Sequence, residues 1–197
     1  MLKLLHVGCG PQNINSLSNF DANEWQEIRL DIDPSVNPDV IGTLTDMSSV
    51  PDSSVDAVYS SHNIEHVYPH EVNSVLSEFL RVLKPSGFVF ISCPDLASVA
   101  QGIISTGLEN PLYVSPAGPI TPLDILYGHI DSMTRGNLYM AHKTGFTWDS
   151  LKAKLHGVGF PMVYGGQYAD MFALKAVAYK SMHNEEFITN NSLKYLS

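Results

Sequence analysis

Leu4-Leu5-His6-Val7-Gly8-Cys9-Gly10-Pro11-Gln12 is the stretch against which the rest of the chain is read. A short apolar run that breaks into two glycines one residue apart predicts a buried strand ending in a tight turn. Missing side chains at such a turn let a ligand approach the backbone closely. If a helical turn follows, its free N–H groups face that ligand.

Outward from this turn, Asn13 to Glu24 is polar, so its helix is expected to be short or irregular. Ile28-Arg29-Leu30-Asp31-Ile32-Asp33-Pro34 predicts a second strand with carboxylates at its C-terminal end, stopped by proline. Val55 to Ser61 predicts a buried strand, and the apolar spacing of Val72, Val75, Leu76, Phe79, Leu80 and Leu83 predicts an amphipathic helix. Phe88 to Cys93 is another buried strand. Strands alternating with helices imply a mostly parallel sheet with helices on both faces.

From Leu96 to Lys143 the rhythm breaks, with Pro111, Pro116 and Pro119 between helix-like pieces at Ala97 to Ser105 and Pro122 to Ile130. A long insertion beyond a strand end is expected to be a lid or binding loop. Thr147 caps a helix over Trp148 to His156, and Met162 to Tyr164 and Met171 to Tyr179 give two last strands. The tail from Ser181, with Asn190-Asn191-Ser192, reads as exposed surface.

At 197 residues, 44% hydrophobic and 16% charged, the chain is expected to fold as one domain over 1–197. A formal net charge of -9 argues against nucleic-acid and anionic-membrane surfaces, which need clustered Lys and Arg, and more easily accommodates a small neutral or cationic substrate or a protein partner. Cys9 and Cys93 lack a CxxC spacing, so free thiols in a reducing compartment, the cytoplasm, are expected. Neither a signal peptide nor a membrane-spanning run is evident, and the oligomeric state, a homo-oligomer included, stays open.

Four pieces resemble, in order and spacing, the class I S-adenosylmethionine-dependent methyltransferases of the small-molecule, type 11 kind. They are Val7-Gly8-Cys9-Gly10-Pro11; Leu30-Asp31-Ile32-Asp33-Pro34; Asp46-Met47 ahead of Val50-Pro51; and Val55-Asp56-Ala57-Val58 leading to Glu65-His66 and Leu80 to Gly87. The resemblance implies a doubly wound, seven-stranded Rossmann-like α/β sheet, with residues 96–143 inserted after the fifth strand to cover the substrate. It also implies S-adenosylmethionine as cofactor, held by Gly8, Cys9 and Gly10 at the methionyl part and by Asp31 and Ile32 at the ribose. Asp46 and Met47 would meet the adenine, and Ser61 would face the methyl group. The family usually has an acid where His6 stands and often a third glycine where Gln12 stands, and it commonly carries an N-terminal helix that this chain lacks.

The implied reaction is O-methylation of a small metabolite, a sugar or related compound among the candidates. A noncatalytic binding or partner protein of the same fold is the alternative. A neutral imidazole near the transferred methyl can accept a hydroxyl proton, which makes His62 the first candidate base, with His129 and His142 behind it. His62, Glu65, His66 and His70 cluster in sequence, yet the Glu adjoins the second His rather than the first as in zinc proteases, so no metal is assigned.

Overall fold

The computed structural model describes residues 1–196. β1 (Leu2–Val7) pairs in parallel with β2 (Trp25–Asp31) on one side and β4 (Val55–Ser61) on the other, so both its edges are paired, and a hydrophobic cluster lies on each of its faces. That is why Leu4, Leu5 and Val7 are all fully buried and no polar alternation is visible. β3 (Val40–Ile41) adds to β2 and β5 (Leu83–Pro94) to β4, again in parallel. β9 (Ala173–Tyr179) runs antiparallel to both β5 and β8 (Met162–Tyr168), giving the order β3-β2-β1-β4-β5-β9-β8. The expected seven-stranded, mostly parallel sheet is present.

Successive side chains point to opposite faces, which splits the sheet residues into two cores. On one face α1 (Val72–Val82) and α5 (Trp148–Val158) bury Val75, Leu76, Phe79, Leu151 and Leu155 against Leu5, Val58, Val89 and Ile91. Thr147 caps α5 through Ser150 and Gly159 closes it in the left-handed region.

The other face is covered differently. Between β1 and β2 the chain forms only a 3-10 turn at Ile14–Ser16, boxed by Asn13, and its Leu17 and Phe20 lie on the sheet. The rest of the cover is α6 (Glu185–Leu196), whose Ile188, Tyr195 and Leu196 pack with Phe20, Trp25 and Phe88. The tail expected as exposed surface is therefore partly core. Its stripe at 188, 192, 195 and 196 has helical spacing, but one member is Ser192, whose hydroxyl lies 3.0 Å from the Tyr179 hydroxyl, and the asparagines hide the pattern.

The segment after β5 holds α2 (Leu96–Thr106), the hairpin β6 (Tyr113–Ser115) and β7 (Gly118–Ile120), α3 (Pro122–Tyr127) and α4 (Ile130–Thr134). Val99, Ile120 and Ile125 give it a small core of its own. The helix expected over 122–130 is split because Gly128 has φ +101 and lies so close to the Met140 carbonyl that a Cβ would collide with it. Residues 137–144 then return across the C-terminal ends of the strands, where Lys143 and Thr144 donate backbone N–H groups to the Glu65 carbonyl at 2.8 and 3.2 Å.

Candidate functional site

The pairing register sets Val7 beside both Leu30 and Ser60, so the turns after β1, β2 and β4 emerge at one level. Ligands of open α/β sheets bind beyond such carboxyl ends. A cavity of about 410 Å³ lies there, with Gly8, Gly10, Asp31, Ile32, Thr43, Thr45, Asn63, His66, Tyr139 and Lys143 among its walls.

Both turn glycines sit in the left-handed region, Gly8 at φ +59 and Gly10 at φ +52. At Gly8 a Cβ would occupy the place of the Asn63 side chain, so the glycine is required sterically as well. Asp31 is 8% exposed, and its two oxygens each accept a backbone N–H, from Gly10 at 2.7 Å and from Asp33 at 2.9 Å. One carboxylate thus ties the glycine turn to the end of β2 and still shows its remaining lone pairs to the cavity.

Arg29, which the sequence reading did not single out, completes this clamp. Its guanidinium donates to the carbonyls of Gly10 at 2.6 Å, Gln12 at 3.0 Å, Asn37 at 3.0 Å and Val36 at 3.2 Å. Gln12 therefore contributes its carbonyl to the clamp. His6 is buried against Glu27, Nδ1 to Oε1 at 2.7 Å, and the other Glu27 oxygen accepts the Ile14 N–H at 2.9 Å. The carboxylate expected at position 6 stands one strand over, where it anchors the turn that follows the glycines. Burial lowers the His6 pKa, with Glu27 opposing.

Other expected contacts lie elsewhere. Met47 is 1% exposed and its N–H donates to Glu78 Oε2 at 3.1 Å, so it is not available to an adenine ring. Asp46 turns its carboxylate to the Ser48 N–H at 3.0 Å, and neither residue lines the cavity. The cavity wall at this position is Gly42, Thr43, Leu44 and Thr45. The displacement follows from Arg81, which holds Glu78, Asp52 and the Met47 and Val50 carbonyls and pulls 47–50 onto α1. Cys9 is 2% exposed with its N–H donating to Leu30, burial raises its thiol pKa, and its side chain is core. Cys9 and Cys93 are both free and buried.

Ser61 ends β4 short of the cavity wall. His62 follows at φ +48 with a side chain 57% exposed, its Nδ1 3.5 Å from Glu65 Oε1. Burial opposes its charged form, the Glu65 carboxylate favours it more, and the pKa is raised. His129 faces a separate depression, 2.8 Å from the Ser132 hydroxyl, and is not part of this site. His142 sits behind the wall, Nδ1 2.7 Å from the Ile125 carbonyl, and its ring stands edge-on to His66 at 4.8 Å. Burial lowers its pKa against the pull of Glu65. Of the imidazoles near Glu65, the one on the cavity wall is His66, which sequence reading had treated as part of a motif and not as a site residue. Asn63 is a second missed residue: its amide nitrogen is buried beside Gly8 without a hydrogen-bond partner.

The family model described as methyltransferase domain matches residues 5–91. No curated protein sequence matches the chain. Among solved structures, a SAM-dependent methyltransferase from Archaeoglobus fulgidus superposes with a TM-score of 0.59 at 17% identity, covering 91% of this chain and 86% of that one. A possible exported protein from Bordetella parapertussis gives 0.60 at 15%, over 92% of this chain and 62% of its own. The 1,6-didemethyltoxoflavin-N1-methyltransferase of Burkholderia thailandensis, solved with S-adenosylhomocysteine, gives 0.57 at 14%, over 92% and 72%. At these identities the likeness is one of fold. Among the described residues no helix is long and apolar enough to cross a membrane.

Proposed function

We propose that this chain is a class I S-adenosylmethionine-dependent methyltransferase and that it methylates an oxygen of a small metabolite, a sugar or related hydroxyl compound. The observation that carries this is the cavity at the strand ends, with a buried carboxylate and a turn of two glycines on one wall and polar groups on the other. Its size suits a nucleoside-type ligand.

The residues present fit the cofactor. Asp31 offers paired acceptors to a ribose diol, Gly8 and Gly10 leave room for a methionyl chain against the backbone, and the unpartnered Asn63 amide is a donor for its carboxylate. Thr43 to Thr45 take the adenine role assigned in sequence to Asp46 and Met47. When bound, S-adenosylmethionine supplies a methyl group on a sulfonium. The protein's part is alignment and exclusion of water. Leu138 and Tyr139, which remain exposed at the cavity, make residues 96–143 the substrate cover. His62, which Glu65 orients, is the base of this reading; its ring is exposed and is not among the walls of the cavity. The net charge of -9 favours such a substrate over nucleic acid.

Isothermal titration of the purified protein with S-adenosylmethionine is expected to show one site per chain, and absence of binding at millimolar ligand overturns the reading. Mass spectrometry of metabolite mixtures incubated with protein and methyl-labelled cofactor then identifies the acceptor.

A further inference from the structure

Glu65 lies in the 3-10 turn Ile64–His66 and is 1% exposed. Among the described residues, neither of its carboxylate oxygens has a hydrogen-bond partner. The His62 ring at 3.5 Å is an ion-pair neighbour beyond hydrogen-bond geometry, and a buried carboxylate without a hydrogen bond costs several kcal/mol unless something further compensates its charge. Three imidazoles, those of His62, His66 and His142, stand around it.

Two of those rings are held in one tautomer. His66 Nδ1 is 3.0 Å from the Ala141 carbonyl and His142 Nδ1 is 2.7 Å from the Ile125 carbonyl. A carbonyl only accepts, so each Nδ1 carries the proton and each Nε2 of the neutral ring carries a lone pair. His142 Nε2 stands 4.0 Å from Glu65 Oε1. One ligand atom each from Glu65, His66 and His142 lie within 4.8 Å of one another. Acceptors thus face acceptors, in a place shielded from water. Imidazoles fixed by Nδ1–H donation to backbone carbonyls are the outer-shell arrangement of metal-binding histidines.

We propose that Glu65, His66 and His142 bind one divalent transition-metal ion of the zinc or manganese type, set into the wall of the cavity that His66 lines. Two imidazoles and one carboxylate suit that class better than magnesium or calcium, which prefer oxygen alone. Zinc–nitrogen and zinc–oxygen bonds of about 2.0–2.2 Å place ligand atoms about 3.4 Å apart in a tetrahedral site. The 4.0 Å gap between His142 and Glu65 therefore closes by roughly half an ångström, and the widest separation in the set, up to 4.8 Å, by up to about 1.4 Å. His62, 3.5 Å from Glu65 on the exposed side, remains outside the set as a proton acceptor. The sequence hid the site because its third ligand comes 76 residues after the second and is delivered by the strap 141–144 that crosses over Glu65.

The test uses full-length protein stripped with a chelator and titrated calorimetrically with zinc chloride, then with manganese chloride. One equivalent is expected to bind, with affinity falling at least tenfold in Glu65→Gln and in His142→Gln and unchanged in His70→Ala, an exposed histidine outside the cluster. Cobalt loading of the unsubstituted protein supplies a measurement free of any folding defect: visible bands are expected to appear at one equivalent and vanish on zinc addition. Absence of stoichiometric binding, or equal binding by folded Glu65→Gln and His142→Gln, overturns the site. S-adenosylmethionine titrated into the same stripped protein reports separately on the cofactor reading.

Discussion

The two walls of the cavity are built in opposite ways. On the glycine side, groups are paired: Asp31 holds two N–H donors, Arg29 holds four carbonyls, and Glu27 joins His6 to the turn after the glycines. On the imidazole side, Glu65 and the Asn63 amide are buried without hydrogen-bond partners, Glu65 having the His62 ring at 3.5 Å, and the lone pairs of His66 and His142 face inward. A paired wall is rigid before any ligand arrives, whereas an unpaired one gains its missing partner from the ligand. Substitutions should therefore destabilise the first wall more than the second.

The largest effect is expected at Asp31. Asp31→Ala removes a charged acceptor from both the clamp and the ribose position, so calorimetry should show S-adenosylmethionine affinity falling roughly 100-fold. Chemical denaturation should show a stability loss of about 1–3 kcal/mol. Gly8→Ala comes next: a side chain at φ +59 that meets Asn63 should cost about 1–3 kcal/mol by denaturant midpoint. Normal cofactor binding by either variant would break the assignment of this wall.

Glu65→Gln sharpens the contrast, because it removes the charge beside His62 while keeping the shape. In metal-free protein the stability by denaturant midpoint should fall by about 1 kcal/mol or less, since only the 3.5 Å contact with His62 is lost. A loss as large as that of Asp31→Ala would mean that the carboxylate is held by more than this one contact. The smallest effect concerns pH. His6 has a lowered pKa in the folded state, so the unfolded chain binds its proton more tightly. Stability is then constant above about 6.5 and declines as pH falls below it, and His6→Gln should flatten that decline in pH-dependent melts.

The sequence carried the paired wall well for a physical reason. Its elements are short-range: two glycines end one strand, an aspartate ends the next, and the strands pair directly. β1, β4 and β5 were visible because burial on both faces leaves continuous apolar runs, and α1 because its stripe is unbroken. The unpaired wall depends on chain segments far apart in number. Nothing near Glu65 says that His142 arrives beside it, or that His129, with a similar local context, goes to another depression. Asp46 and Met47 turn away from the cavity because Arg81, more than thirty residues on, takes the Met47 and Val50 carbonyls. α6 was missed because a serine stands in its buried stripe.

α6 also bears on how the molecule assembles in time. It lays Tyr195 on Phe20, and Asn19 donates to the Tyr195 carbonyl across 176 positions of chain. Contacts so distant in sequence pay a large loop-closure entropy and form late. Trp25 reports on this face, while Trp148 packs against the opposite one. Stopped-flow refolding should therefore show the environment of Trp148 maturing before that of Trp25, with each tryptophan read alone after replacing the other by Phe.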